Sequence, residues 1–160
     1  MDIRKIEQAS IKMNITNGIL NDLPNWFGLP DSITEYVDKS SKMPFWAMYE
    51  NDNAIGFTSL KQNNKYTAEI YVMGIKEQYH RNGIGKALFQ TCYDYCKENN
   101  IEFLQVKTLD ESSPDTSYAK TREFYKAMGF RPLECFTELW DASNPCLIMI
   151  MHIDNSYITN

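Results

Sequence analysis

From Ala68 to Leu88 the chain reads AEIYVMGIKEQYHRNGIGKAL, and this stretch decides the fold. Its first half alternates: Ala68, Ile70, Val72 and Gly74 fall on one face, Glu69, Tyr71, Met73 and Ile75 on the other, as a β-strand requires. The strand is predicted over 66–75, followed by a polar loop over 76–82. A helix is predicted over 83–98, because Ile84, Leu88, Cys92 and Cys96 recur at helical spacing with Ala87 and Tyr95 beside them. A further strand, 101–109, completes a strand–helix–strand unit, which favours parallel pairing through a right-handed crossover.

Working outward, Ile3 to Ile6 reads as a short first strand and Ala9 to Leu23 as a helix. Asp31-Ser32 reads as the N-cap of a second helix through Val37. Phe45–Tyr49 and Ala54–Leu60 form a hairpin around Glu50-Asn51-Asp52-Asn53. Downstream, a helix over 117–128 stops at Gly129, and strands near 131–138 and 146–153 close the chain. No repeat or linker interrupts it, so residues 1–160 read as a single domain. The class is α+β (mixed α/β): one twisted, mostly antiparallel sheet with a central parallel strand pair, flanked by helices.

Gly83-Ile84-Gly85 sits where a strand feeds a helix. The unpaired N–H groups and positive dipole end of a helix N-terminus stabilise an anion, and glycine lets its oxygens approach the main chain. Two better-known phosphate motifs fail. A Walker loop would need a glycine where His80 stands and a hydroxyl where Ala87 stands. A dinucleotide fingerprint would need Gly or Ala where Leu88 stands.

What the stretch resembles is the (Gln/Arg)-x-x-Gly-x-(Gly/Ala) loop of the GNAT superfamily of N-acetyltransferases. Phe124-Tyr125-Lys126-Ala127-Met128-Gly129-Phe130 is similar to that family's Tyr-x-x-x-Gly-Phe signature, and the order of elements also looks like the family's. The resemblance implies acetyl-CoA as donor, with its diphosphate on the backbone from Arg81 through Asn82, Gly83, Ile84 and Gly85 to Lys86. The pantetheine arm would lie along Met73, Gly74 and Ile75, where family members splay two parallel strands apart. Ordinary core packing would account equally for the Met73 and Ile75 side chains. Two departures stand out: His80 occupies the position usually held by Gln or Arg, and Tyr118 stands where many relatives carry an Asn that contacts the cofactor. His80 and Tyr118 remain candidate cofactor contacts.

Acyl transfer to an amine needs a base for the amine, donors for an oxyanion and an acid for the leaving thiolate. By resemblance Tyr125 is the acid; a phenol with a reference pKa of about 10 stays protonated at neutral pH. The bland alternative is a core tyrosine, since Tyr118, Thr121, Tyr125 and Met128 share a helical face. Glu69 aligns with the glutamate base of the histone-acetyltransferase branch, against the alternative of a solvated strand-end carboxylate. Asp110 and Glu111 are the reserve bases, and Met73 N–H is the oxyanion donor that the resemblance implies. Cys135 offers a covalent route that most relatives do not use.

Composition narrows the rest. The formal charge is −5 with no basic run, which argues against nucleic acid as partner. No apolar stretch reaches the roughly 18 residues of a membrane span, and none follows the N-terminal charges as in a secretory signal. Cys92, Cys96, Cys135 and Cys146 include no C-x-x-C pair, and the two histidines, His80 and His152, lack metal-finger spacing. Free thiols, no metal and a cytoplasmic, reducing location are therefore expected. Trp26, Phe27, Tyr36, Phe136, Trp140, Glu138 and Asp141 suit a cationic amine, either a small molecule or a protein amino group. The same aromatics would equally fill the core or a homodimer interface. The competing function is a non-catalytic acyl-CoA-binding or sensing module on the same fold.

Overall fold

The computed structural model describes residues 1–155. In chain order the elements are β1 (Asp2–Lys5), α1 (Ala9–Asn21), α2 (Pro30–Ser40), β2 (Phe45–Glu50), β3 (Asn53–Gln62) and β4 (Thr67–Ile75). After a single 3₁₀ turn (Glu77–Tyr79) come α3 (Ile84–Glu98), β5 (Phe103–Leu109), α4 (Thr116–Met128), β6 (Arg131–Asp141) and β7 (Asn144–His152). The strands form one seven-stranded sheet in the order β1-β2-β3-β4-β5-β7-β6. β4 and β5 pair in parallel, whereas β1–β2, β2–β3, β5–β7 and β6–β7 are antiparallel. This is the mixed α/β arrangement expected from the strand–helix–strand unit.

The chain folds into two compact units: Met1–Lys61 with Ile70–Asp94, and Gln62–Glu69 with Tyr95–Asn160. In the first, the β2–β3 hairpin turns on Asn51 and Asp52, both at positive φ (48° and 67°), as a two-residue primed turn demands. Phe45 and Phe57 stack with ring centroids 5.2 Å apart. Ile19 and Leu20 of α1 reach Gly74 of β4 so closely that a Cβ there would meet Phe57 Cε1 at 3.0 Å and both side chains at 3.1 Å. A larger residue at 74 would need these side chains to give by a few tenths of an ångström. A second apolar group joins Met48 and Ile55 to Ile84 and Leu88 of α3, each at most 7% exposed. Burying such side chains stabilises the fold by about 1.5–3 kcal/mol apiece, which anchors the start of α3.

In the second unit the parallel ladder sets Thr67, Ala68 and Glu69 opposite Phe103, Leu104 and Gln105. Helix α4 begins at Asp115, whose carboxylate accepts the N–H groups of Ser117 and Tyr118. It ends in a Schellman motif: Gly129 at φ 108° lets Phe130 N–H reach the Tyr125 carbonyl at 3.0 Å. β6 is exposed along nearly its whole length and carries two register shifts.

One expected boundary is corrected. Asp31-Ser32 is not the cap of α2: Leu29 occupies that position without a side-chain bond, Pro30 takes the first turn, and Asp31 lies inside the helix. Proline suits that place because its missing N–H has no intrahelical partner there and its φ is already helical. The helix also runs on to Ser40, beyond Val37. α1 stops at Asn21, short of Leu23.

Candidate functional site

In the first unit, the loop over 80–86 is braced from several sides. Tyr79 donates to Glu50 Oε2 at 2.6 Å, and this bond to a carboxylate, followed by burial, holds the phenol above its ordinary pKa. Asn82 Nδ2 donates to the Tyr79 carbonyl at 3.2 Å. His80 Nε2 lies 2.7 Å from the Ile75 carbonyl; since a carbonyl only accepts, Nε2 carries the hydrogen. The same ring meets Trp26 edge-on, with centroids 5.5 Å apart. His80, although exposed, ties the loop to the end of β4 and to the α1–α2 connection.

Past His80 the backbone turns left-handed twice, at Arg81 (φ 64°) and Gly83 (φ 77°). Such alternation turns successive N–H groups toward one side, a concavity suited to an anion. The first i→i−4 bond of α3 runs from Ala87 N–H to the Gly83 carbonyl at 3.1 Å. The N–H groups of Ile84, Gly85 and Lys86 precede it and have no intrahelical acceptor. Arg81 and Lys86 are exposed and form no ion pair among the described residues, so their charge is open to an incoming phosphate. Met73 and Ile75 are half-buried and pack against the Ile84–Leu88 group. Trp26, Phe27 and Tyr36 pack against the first unit's core, and Phe27 and Tyr36 meet edge-on with centroids 5.6 Å apart.

The second unit carries Glu69, Tyr118 and Tyr125. Glu69 is 3% exposed, so the reading of a solvated strand-end carboxylate is wrong. The parallel register sets it beside Gln105, whose Nε2 donates to Oε1 at 2.6 Å, and Lys107 Nζ lies 3.3 Å from the same oxygen. Cys146 is buried nearby; burial pushes its thiol up to about 11, with Glu69 raising it and Lys107 opposing. Tyr125 is 9% exposed, and its ring meets Phe130 edge-on with centroids 5.5 Å apart. The buried Arg122, three residues earlier, donates to the Leu109 carbonyl at 2.7 Å and so fixes α4 against the end of β5. Tyr118 is half-buried in the first turn of α4.

The reserve groups have other engagements. Asp110 is held below the usual carboxylate range, first by the Ser112 backbone N–H and also by the Arg122 charge. The exposed Cys135 is held above the ordinary thiol value, first by desolvation of the sulfur and then by Asp110, which makes it a weak nucleophile. Glu111, Glu138, Trp140 and Asp141 are exposed, and Phe136 is half-buried on β6. His152 is exposed at the end of β7, in edge-on contact with Phe103.

A family model described as the acetyltransferase (GNAT) family matches residues 17–130. The chain belongs to that family. Among curated proteins, the uncharacterized N-acetyltransferase YsnE of Bacillus subtilis (strain 168) is 24% identical over 106 residues, which cover 66% of this chain and 68% of that one. Among solved structures, Ard1 from Thermoplasma volcanium superposes with a TM-score of 0.76 at 16% identity, covering 96% of this chain and 97% of that one. An aminoglycoside 6'-N-acetyltransferase complexed with coenzyme A gives 0.77 at 16% identity, covering 96% and 98%. At such identities the structural likeness concerns the fold.

Within this GNAT chain two side chains beside Glu69 escaped the sequence reading, Gln105 and Lys107. The available signal was two polar residues at alternate positions of a strand whose intervening residues, Leu104, Val106 and Thr108, are buried. Which carboxylate they serve depends on register, which periodicity does not give.

Proposed function

We propose that this GNAT chain is an N-acetyltransferase that moves the acetyl group of acetyl-CoA directly to a primary amine. The observation that carries this reading is the loop over 81–86: glycine-dependent, left-handed twice, and open-ended at a helix N-terminus within a family of acetyltransferases. Backbone N–H groups from Arg81 to Lys86 would hold the diphosphate, with Arg81 and Lys86 adding charge. The main chain of Met73, Gly74 and Ile75 would hold the pantetheine arm. His80 braces this loop through Ile75 and Trp26, and both His80 and Tyr118, at the start of α4, are candidate contacts.

The thioester supplies an activated acetyl group. Glu69 takes a proton from the acceptor ammonium, directly or through water, and frees the nitrogen lone pair. Met73 N–H steadies the carbonyl oxygen as negative charge develops there. The nitrogen bonds to the acetyl carbon, the carbon–sulfur bond breaks, and Tyr125 gives its proton to the departing sulfur and is restored by the proton that the nitrogen sheds, relayed through water. The buried, charge-paired setting of Glu69 and the packed ring of Tyr125 support roles that need fixed groups. Four free thiols, three of them buried, suit a reducing cytoplasmic setting, and the reaction is assigned to one continuous domain.

The test is a panel of amines (small alkylamines, amino acid derivatives, aminoglycosides and amino-terminal peptides) incubated with the protein and acetyl-CoA, with free thiol as readout. At least one class is expected to release CoA in step with N-acetylated product. Tight CoA binding with no thiol release from any class would instead establish the non-catalytic binding module.

A further inference from the structure

A buried carboxylate that acts as a base has two oxygens, and in this protein they are not equivalent. Gln105 Nε2 and Lys107 Nζ both converge on Glu69 Oε1, at 2.6 and 3.3 Å. Glu69 Oε2 accepts no hydrogen bond among the described residues. The two groups come from alternate positions of β5 and therefore from one face of that strand. They meet Glu69 because the parallel ladder sets it opposite Gln105.

We infer that Gln105 and Lys107 are positioning residues, which grip Glu69 through Oε1 and keep Oε2 as the atom that receives the acceptor's proton. The inference rests on the reading of Glu69 as base and extends it to two residues that act through its carboxylate. Each contributes differently. Gln105 is neutral, and its planar amide fixes the rotation of the carboxylate. Lys107 sets an opposite charge 3.3 Å from Oε1, and a nearby opposite charge favours the ionised form of a carboxylate. Its side chain is 28% exposed against 4% for that of Glu69, so the ammonium stays partly hydrated while the carboxylate is enclosed. The Cys146 thiol of β7 also faces the pair, and burial is the first cause that pushes it up.

The experiment measures kcat/KM for the best amine from the panel as a function of pH in wild type, Glu69→Gln, Lys107→Met, Lys107→Arg and Gln105→Leu. Thermal melting and acetyl-CoA affinity serve as controls for folding. Lys107→Met is expected to move the acid limb toward higher pH, because the carboxylate loses the charge that favours its ionised form. It should lower kcat while leaving acetyl-CoA affinity within about twofold of wild type. Lys107→Arg should restore the wild-type limb. Gln105→Leu should lower kcat and shift the limb in the same direction. Should Lys107→Met not fold, Lys107→Arg and Gln105→Leu still decide the matter. A wild-type profile in Gln105→Leu, or a displaced limb in Lys107→Arg, overturns the positioning role. If Glu69→Gln removes the limb while the β5 variants leave it unmoved, Glu69 is a base that needs no such grip. If Glu69→Gln behaves as wild type, the base reading itself falls, and the inference falls with it.

Discussion

A Cβ added at Gly83 would meet nothing within 4 Å, yet the backbone there holds φ +77°. The replacement Gly83→Ala therefore separates conformation from sterics: it introduces no clash and empties no cavity. An L-residue in the left-handed region costs about 1–2 kcal/mol. Either the loop keeps its shape and the folded protein carries that strain, or the loop relaxes and its N–H groups turn away until a ligand restores them. In the second case the whole cost falls on binding, and at about 1.4 kcal/mol per tenfold it weakens CoA affinity by roughly five- to thirtyfold. In the first case the melting temperature falls and affinity holds. Exposure of Arg81, Asn82 and Gly83 favours relaxation, since the bonds that brace the loop are made by its neighbours Tyr79, His80 and Asn82 and nothing lies within 4 Å of a Cβ at Gly83 itself. Titration calorimetry with CoA, alongside thermal melting without ligand, reads both quantities. Gly83→Asn should lose less, because asparagine tolerates the left-handed region. If Gly83→Ala binds CoA within twofold of wild type and melts at the same temperature, the loop conformation is not what holds the ligand.

Tyr125→Phe is expected to lower turnover at least tenfold with CoA affinity unchanged, on the scale of a general acid's contribution of about 10²–10⁴; undiminished steady-state turnover removes Tyr125 from the mechanism. Asp115→Ala leaves two N–H groups at the start of α4 without their cap and should cost about 1 kcal/mol of stability, read by denaturant titration. A thiol reagent near neutral pH should label Cys135 alone in the native protein, because burial pushes Cys96 up to about 12 and Cys146 to about 11 and Cys92 is fully buried. Rapid labelling of all four without denaturant would contradict that burial. Asp110, whose folded carboxyl is held low, contributes stability that is present above about pH 4 and lost as pH falls through its folded value. Asp110→Asn should remove that part of the acid sensitivity, and an unchanged acid-melting profile would refute it.

The parts of the fold that were legible in the sequence are those written in local chemistry. Gly129 announced the end of α4 because one residue must turn left-handed there, and the same turn explains the Tyr-x-x-x-Gly-Phe spacing: it joins Phe130 N–H to the Tyr125 carbonyl. Alternation along β4 correctly separated Ala68, Ile70, Val72 and Gly74, all buried, from the half-buried Tyr71, Met73 and Ile75. Glu69 broke that pattern by being buried on the more open face, because its partners arrive 36 and 38 residues later through a strand register that no local signal encodes. His80 was visible as a departure from the loop pattern, but its attachment to Ile75 and Trp26 is a tertiary fact. The start of α2 was misread because Asp31 is a good cap in isolation, while Pro30 is a better first residue.

The enclosure of Glu69 also bears on how hardy the protein can be. Taking a carboxylate out of water is rarely repaid in full by one ammonium and one amide. Exchanging a buried ion pair for apolar side chains of similar volume is often neutral or stabilising, by about 1–4 kcal/mol. A paired replacement at 69 and 107, with leucine and methionine, should then outlast the natural chain on heating while losing the carboxylate proposed as its base. Selection for endurance alone would tend to erase this pair, so a screen for thermotolerant variants that ignores turnover would drift toward an inert protein.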